Sequence, residues 1–242
     1  MTEDRSVAAG RTPRIVEFVG LAGSGKSTLT TALQERTNET ILVEPPFFRR
    51  VRDLPFFALN LVRALPFLVG ITFRSQRDRC LTAREVAWIV ILTGWDRRLR
   101  AQARRTDKVL VLDQGPVFML TVLHLTGPLV LRSSVASRWW AGMADKWGAT
   151  IDLVVNLEAS ENTLLARVRR RPIWHGLKGM SDSEAREFMS RYRAAYSDVL
   201  LLLGSGGNKV GTLSLNTERH SVKETLDLVS RTLILQEASR GL

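Results

Sequence analysis
The residues Gly20-Leu21-Ala22-Gly23-Ser24-Gly25-Lys26-Ser27-Thr28 match the pattern G-x-x-x-x-G-K-[ST] at every fixed position. Glycines at this spacing let the backbone wrap tightly, so that successive N–H groups converge on one anion. The helix expected to leave the loop adds its positive N-terminal end. A lysine at the end of such a loop reaches the β- and γ-oxygens of a nucleoside triphosphate, and the hydroxyl after it joins the shell of a Mg²⁺ ion. The pattern therefore assigns Gly20, Gly23, Ser24, Gly25, Lys26, Ser27 and Thr28 to an ATP site, with Lys26 also catalytic and Ser27 on the metal. Asp113 ends the apolar run Val109–Leu112, which puts a carboxylate at the carboxyl edge of a buried strand. There it can hold Mg²⁺ directly or through water; otherwise it merely opens the turn before Gly115-Pro116.

Phosphoryl transfer also needs positive charge on the moving group and on the leaving phosphate. No arginine lies between Gly20 and Lys26, so the cation must come from elsewhere, and Arg167, Arg170 and Arg171 are the obvious source. On a helix they stand at i, i+3 and i+4 and share one face. Pro172 then ends the helix and frees 172–181 to close, so that the LID spans 167–181. Glu44 follows the short apolar run Ile41-Leu42-Val43, again at a carboxyl strand edge. It can accept the proton of an attacking hydroxyl; with a phosphate acceptor no base is needed, and it would position the acceptor or the metal. Arg97 is a candidate acceptor clamp, although Arg97, Arg98 and Arg100 also read as a solvated helix face.

These residues require a frame that brings strand ends together. Strands are expected at Ile15–Val19, Ile41–Val43, 108–113, 151–158 and 209–216, alternating with helices from Ser27 to about Arg36 and near 82–104, 133–147, 160–171, 182–203 and 221–236. That alternation predicts βαβ units on a parallel sheet, and the unbroken apolar strands suit burial on both faces. The segment 204–208, GSGGN, reads as a turn after a long helix. Residues 1–13 read as a mobile tail with no apolar core of the signal-peptide kind, and 14–242 as a single domain.

Composition narrows the partners. Of 242 residues, 35 are Lys or Arg and 24 Asp or Glu, a formal charge of +11, and only six of the cations are lysines. Arginine's planar fork suits phosphate, so an anionic ligand, an anionic membrane or nucleic acid come into view. The charge is the only argument for nucleic acid, since no basic stretch is interleaved with aromatics. One cysteine, Cys80, excludes an intramolecular disulfide framework and suits a reducing cytoplasm. His124, His175 and His220 show no ligand spacing, and Trp139, Trp140 and Trp147 fit a helix face turned to the core.

One stretch departs from an ordinary soluble domain. LPFFALNLVRALPFLVGITF, 54–73, is almost wholly apolar across about a membrane-span length. It contains Arg63 and two prolines and is flanked by Arg49, Arg50 and Arg52 on one side and Arg74, Arg77 and Arg79 on the other. A central arginine argues against a spanning helix. An in-plane helix with basic flanks, or helices lining a core or an acceptor pocket within an apolar insert over 45–80, both remain open.

With these residues in place, the chain from about 14 to 236 resembles the thymidylate kinase-like and deoxynucleoside kinase-like branch of P-loop kinases. Glu44-Pro45 resembles the Glu-Pro that follows the second strand in both families, TGWDRRLRAQ (93–102) the helix whose Asp-Arg pair lines the acceptor site, and 151–171 the strand and helix leading into the LID. Segments 187–200 and 214–229 are similar to the helix after the LID and to the last strand with its closing helix. Asp113-Gln114-Gly115 stands where those families have Asp-Arg-Tyr or Glu-Arg-Ser, so Gln114 occupies an acceptor-contacting position otherwise held by arginine.

The resemblance implies a three-layer αβα P-loop fold with a five-stranded parallel sheet and an Arg-rich LID. It implies ATP and Mg²⁺ as cofactors, and an acceptor held by Glu44, Arg97 and Gln114. Three readings stand: a cytoplasmic kinase of a nucleoside, nucleotide or similar metabolite; a kinase of a hydrophobic or lipid-linked acceptor with 54–73 at the membrane; and a P-loop switch with no acceptor. A homodimer is compatible with any of them.

Overall fold
The computed structural model describes residues 5–6, 14–36, 39–74, 79–172, 176–205 and 210–234. Strand β1 (Arg5–Ser6) and β2 (Ile15–Val19) precede α1 (Lys26–Arg36) and β3 (Thr40–Val43). A 3-10 turn (Val51–Asp53) leads into α2 (Leu54–Arg74), followed by α3 (Ala83–Ala103), β4 (Val109–Asp113) and α4 (Pro116–Thr126). Then come α5 (Ser134–Gly148), β5 (Leu153–Glu158), α6 (Glu161–Arg170), α7 (Asp182–Ser205), β6 (Gly211–Asn216) and α8 (Val222–Ile234).

The sheet order is β1-β6-β5-β2-β4-β3. Five strands run parallel, as expected for βαβ crossovers, and β1 adds an antiparallel edge against β6. Arg5 and Ser6, expected in a mobile tail, therefore cover an otherwise unpaired strand edge; the rest of 1–13 lies outside the described residues. So does most of the 204–208 turn, with α7 running on to Ser205.

Alternation along the strands divides the core. Val16, Phe18, Val111, Val155 and Leu213 face α1 and α8, whose Leu29, Leu33, Leu226 and Val229 complete that layer. Ile15, Val19, Leu110, Leu112 and Val154 face the other side, against α3, α4, α5 and α7. Trp147 is fully buried there, as its spacing predicted, and Trp139 and Trp140 pack against the same cluster. Helix α4 has no counterpart among the expected elements. It is too short and too uniformly apolar for periodicity to reveal a face, and Gly115 with Pro116 at its first turn marks its start.

Helix α2 has an inner side packed into the core through Asn60, Ala64, Leu68 and Ile71. Its start is pinned to α3, where Arg98 Nη1 donates to Asp53 Oδ1 at 2.7 Å. Burial alone would raise the Asp53 pKa, but hydrogen bonds from Arg98 and the Phe47 N–H, with the charges of Arg98 and Arg52, hold it below the usual carboxylate range. By length and composition Val51–Arg74 could cross a membrane; its packing on the core is that of a helix lying along the protein.

Candidate active site
The loop between β2 and α1 adopts a conformation its glycines make accessible. Gly20, Gly23 and Gly25 all have positive φ, at 139°, 88° and 94°. A Cβ on Gly20 would meet the Leu157 carbonyl oxygen at 2.4 Å, so both the dihedral and the close approach to β5 demand glycine. The first turn of α1 opens directly onto this cradle, and Ser24 Oγ is buried in it with no hydrogen-bond partner.

Three polar groups meet at the loop. Ser27 Oγ donates to Asp113 Oδ2 at 3.0 Å. Lys26 Nζ donates to the Gly20 carbonyl at 2.7 Å and the Leu21 carbonyl at 3.1 Å. Burial pushes the Lys26 pKa down from 10.5 to about 8, with Asp113 opposing and Arg171 adding to that shift. Asp113 Oδ1 is buried and unpartnered. A hydroxyl and a carboxylate with a spare oxygen form a hard oxygen donor set of the kind Mg²⁺ takes. Mg²⁺ is commonly bound by one or two protein oxygens and completed by phosphate and water. Mg²⁺ and a nucleotide triphosphate both fit the residues present.

A cavity of about 350 Å³ adjoins the loop, lined by Gly23, Thr28, Arg167, Arg171, Thr217 and His220 among others. Arg167 Nη1 donates to the Gly23 carbonyl at 3.3 Å and to Thr217 Oγ1 at 2.8 Å, and its Nη2 to the Thr217 carbonyl at 2.9 Å. The expected shared face of Arg167, Arg170 and Arg171 does not form. The helix stops at Arg170, and Arg171 is extended, with φ −67° and ψ 139°. The cause is Pro172, which disfavours the helical region for the residue before it. Arg171 thereby swings to the cavity, whereas Arg170 is exposed and is not among its lining residues. After Pro172 a 3-10 turn (Gly176–Gly179) buries Leu177, and Lys178 donates to the Arg171 carbonyl. Residues 173–175 of the expected LID lie outside the described residues, and His175 with them.

On the other side of the loop, Gly20, Asn156, Glu158, Tyr192, Arg193 and Tyr196 line a second cavity of about 280 Å³. Glu44 sits just beyond β3, whose Val43 lies opposite Leu112, so it is level with Asp113 at the carboxyl edge of the sheet. Glu44 is exposed and ion-paired with Arg50. Gln114 forms the turn from β4 to α4 with φ 63°, the one positive φ outside glycine among the described residues. Asp96 is buried with one unpartnered oxygen. Its neighbour Arg97 is exposed, acts on Lys146 of α5, and makes no described contact with Glu44, Asp113 or the loop. The structure thus joins Lys26, Ser27, Asp113, Arg167 and Arg171 and puts Glu44 and Gln114 at the same sheet edge, whereas Arg170 does not line the cavity and Arg97 acts on Lys146.

Glu17 lies behind this site, coupled to Asp113, and escaped the sequence reading. It lies in the middle of β2, fully buried, and its carboxylate accepts the Val117 N–H and the Phe118 N–H, both at 2.9 Å. It caps α4 directly behind Asp113. Burial raises its pKa from 4.5 to about 8, outweighing the backbone hydrogen bonds, and the Asp113 charge pushes the same way. Burial likewise drives the Tyr192 and Tyr196 phenols up, with Glu17 contributing. A charged residue inside an otherwise apolar, doubly covered strand is the signal that marks Glu17.

No protein-family model and no curated protein sequence matches the chain. Among solved structures, it is similar to deoxyadenosine kinase from M. mycoides with bound dATP, at 13% identity and a TM-score of 0.50, covering 90% of this chain and 98% of that one. It is similar to thymidylate kinase from Candida albicans at 10% identity and a TM-score of 0.53, covering 93% and 92% of the two chains. At these identities the likeness is one of fold: the chain has the thymidylate kinase-like and deoxynucleoside kinase-like P-loop fold.

Proposed function
We propose that the protein is an ATP-dependent kinase that transfers the γ-phosphoryl group to a nucleoside, a nucleotide or a similar small acceptor. The observation that carries this reading is the Ser27 Oγ–Asp113 Oδ2 contact of 3.0 Å beside Lys26, with Arg167 and Arg171 lining the adjoining cavity. The backbone N–H groups of 20–28 hold the phosphates, and Lys26 reaches the β- and γ-oxygens. Ser27 and Asp113 would hold Mg²⁺, which would supply neutralising charge at the phosphates. An acceptor oxygen forms a bond to the γ-phosphorus as the bond from that phosphorus to the β–γ bridging oxygen breaks, and ADP leaves.

When the acceptor is a hydroxyl, its proton passes to Glu44. This requires Glu44 to turn from Arg50, and its exposure permits that. Arg171 stabilises charge on the transferring group. A bare nucleotide switch has no need of arginines lining the cavity or of a carboxylate at the far strand edge. The similar structures, a deoxyadenosine kinase and a thymidylate kinase, support a nucleoside or nucleotide as acceptor class. An ATP donor and a lone exposed cysteine, Cys80, suit the cytoplasm.

The test is a panel of nucleosides, nucleotides and phosphorylated metabolites incubated with ATP and Mg²⁺ and read by mass. A product heavier by one phosphoryl group, with ADP formed in step, supports the reading. ATP hydrolysis at one rate whatever is added, with no phosphorylated product, would replace the kinase with a switch.

A further inference from the structure
Helix α2 packs on the protein with one side, and among the described residues nothing covers the other. Of its 21 residues only Asn60, Ala64, Leu68 and Ile71 are buried, at spacings that define one stripe. The opposite stripe carries Leu54, Leu61, Val62, Leu65, Val69 and Phe73, all 43% or more exposed, with Val62 at 68% and Phe73 at 74%. Arg63 is the single charge between Leu54 and Phe73, and it stands on the flank, where its Nη1 reaches Asn60 Oδ1 at 3.2 Å. The outward face is therefore a charge-free apolar strip about 30 Å long at 1.5 Å per residue. Phe47, Phe48 and Val51, all exposed, extend it towards Glu44. A patch of this extent marks an interaction surface.

Charge decides between a second copy of the chain and a lipid surface. Exposed Arg49 and Arg52 stand before the helix and exposed Arg74 ends it. The nearest acid in sequence, Asp53, is buried and engaged by Arg98, and Glu44 at the end of the strip is paired with Arg50. A two-fold pairing of this face brings arginines against arginines whether the two helices run parallel or antiparallel. An anionic bilayer instead offers opposite charge at both ends and hydrocarbon between them. Burial of the outward strip in the headgroup–acyl boundary needs no loss of protein contacts, because the inner stripe stays on the core.

We propose that the outward face of α2 docks the protein on an anionic lipid bilayer, placing the sheet edge around Glu44 beside the membrane surface. On the kinase reading above, this deepens the acceptor class to a molecule whose hydroxyl or phosphate lies at the bilayer interface.

Flotation of the full chain with phosphatidylcholine vesicles, with and without phosphatidylglycerol, tests it. The anionic vesicles should bind at least about tenfold better, a preference that falls as salt rises. The double variant Val62→Glu/Val69→Glu should lose flotation while retaining ATP binding and its circular dichroism. Absent flotation on anionic vesicles, or flotation untouched by the double variant, overturns the proposal. So does sedimentation showing a dimer that the double variant dissociates, which assigns the face to a second copy. Wild-type flotation without ATP binding defeats the nucleotide reading and leaves the docking intact.

Discussion
Arg167 Nη1 lies 3.3 Å from the carbonyl oxygen of Gly23, and the same guanidinium holds both the hydroxyl and the carbonyl of Thr217. One side chain of α6 thus fastens the phosphate loop to the β6–α8 turn. Arg171, only four residues on, makes none of these bonds and lines the cavity instead. The two should separate in experiment. Arg167→Ala is expected to cost about 1–3 kcal/mol of stability through lost charged hydrogen bonds and to weaken ATP binding as the loop loosens. Arg171→Ala should leave the melting temperature within error and lower kcat by about 100-fold, as removal of one transition-state donor does. Arg170→Ala should do neither. Thermal melts with steady-state kinetics on the three variants check this, and a kcat loss confined to Arg170→Ala would reverse the assignment.

Lys26 and Asp113 should divide donor binding from metal use. Lys26→Ala is expected to abolish transfer, because no other described cation reaches the loop carbonyls Lys26 occupies. Asp113→Asn keeps the shape but removes the charge, so the Mg²⁺ concentration for half-maximal rate should rise about tenfold or more. Titration of Mg²⁺ at saturating ATP reads this directly, and an unshifted midpoint would remove Asp113 from the metal shell.

Glu17 predicts a pH dependence of stability. In the folded chain it keeps its proton up to about pH 8, whereas unfolded it releases it near 4.5. The folded state therefore binds the extra proton between those values. The stability contribution is complete below the unfolded pKa and is lost as pH rises through the folded one. Glu17→Gln retains the acceptor oxygen for one α4 N–H and cannot ionise. Its melting temperature should fall less between pH 5 and 8 than that of the wild type, and at pH 8 the variant should be the more stable. Differential scanning fluorimetry across that range is the measurement, and parallel curves would contradict the burial-driven shift.

Glu44 should discriminate acceptor types. With a hydroxyl acceptor, Glu44→Gln is expected to lower kcat by about 100-fold or more, within the usual range for a general base. With a phosphate acceptor, which has no proton to remove, kcat should change little and KM should rise if Glu44 positions the acceptor. Comparison of both acceptor types on one variant decides the role.

The loop from Gly20 to Thr28 could be read without coordinates because its chemistry is local. Positive-φ glycines, a lysine and a hydroxyl at fixed spacing specify an anion cradle wherever a strand precedes and a helix follows. The five parallel strands were legible for a similar reason: each is a short apolar run, with β2 and β4 covered on both faces, β3 half-buried and β6 alternating between core and surface. Asp113 was legible as the polar end of such a run. What sequence could not decide depends on contacts distant along the chain. Pro172 turns Arg171 out of the helix and into the cavity, which separates residues that helical spacing had grouped. Arg97 stands at a suitable position on its helix, yet the charge it acts on among the described residues is Lys146 of α5, a neighbour that helical spacing does not reveal. Glu17 broke the apolar pattern of its strand, but only the start of α4, a hundred residues later, explains how a buried carboxylate is held there. Composition showed α2 to be almost wholly apolar. Its tertiary position, inner stripe on the core and outer stripe bare, decided which half seeks a partner, because exposure is set by what the rest of the chain places against a helix.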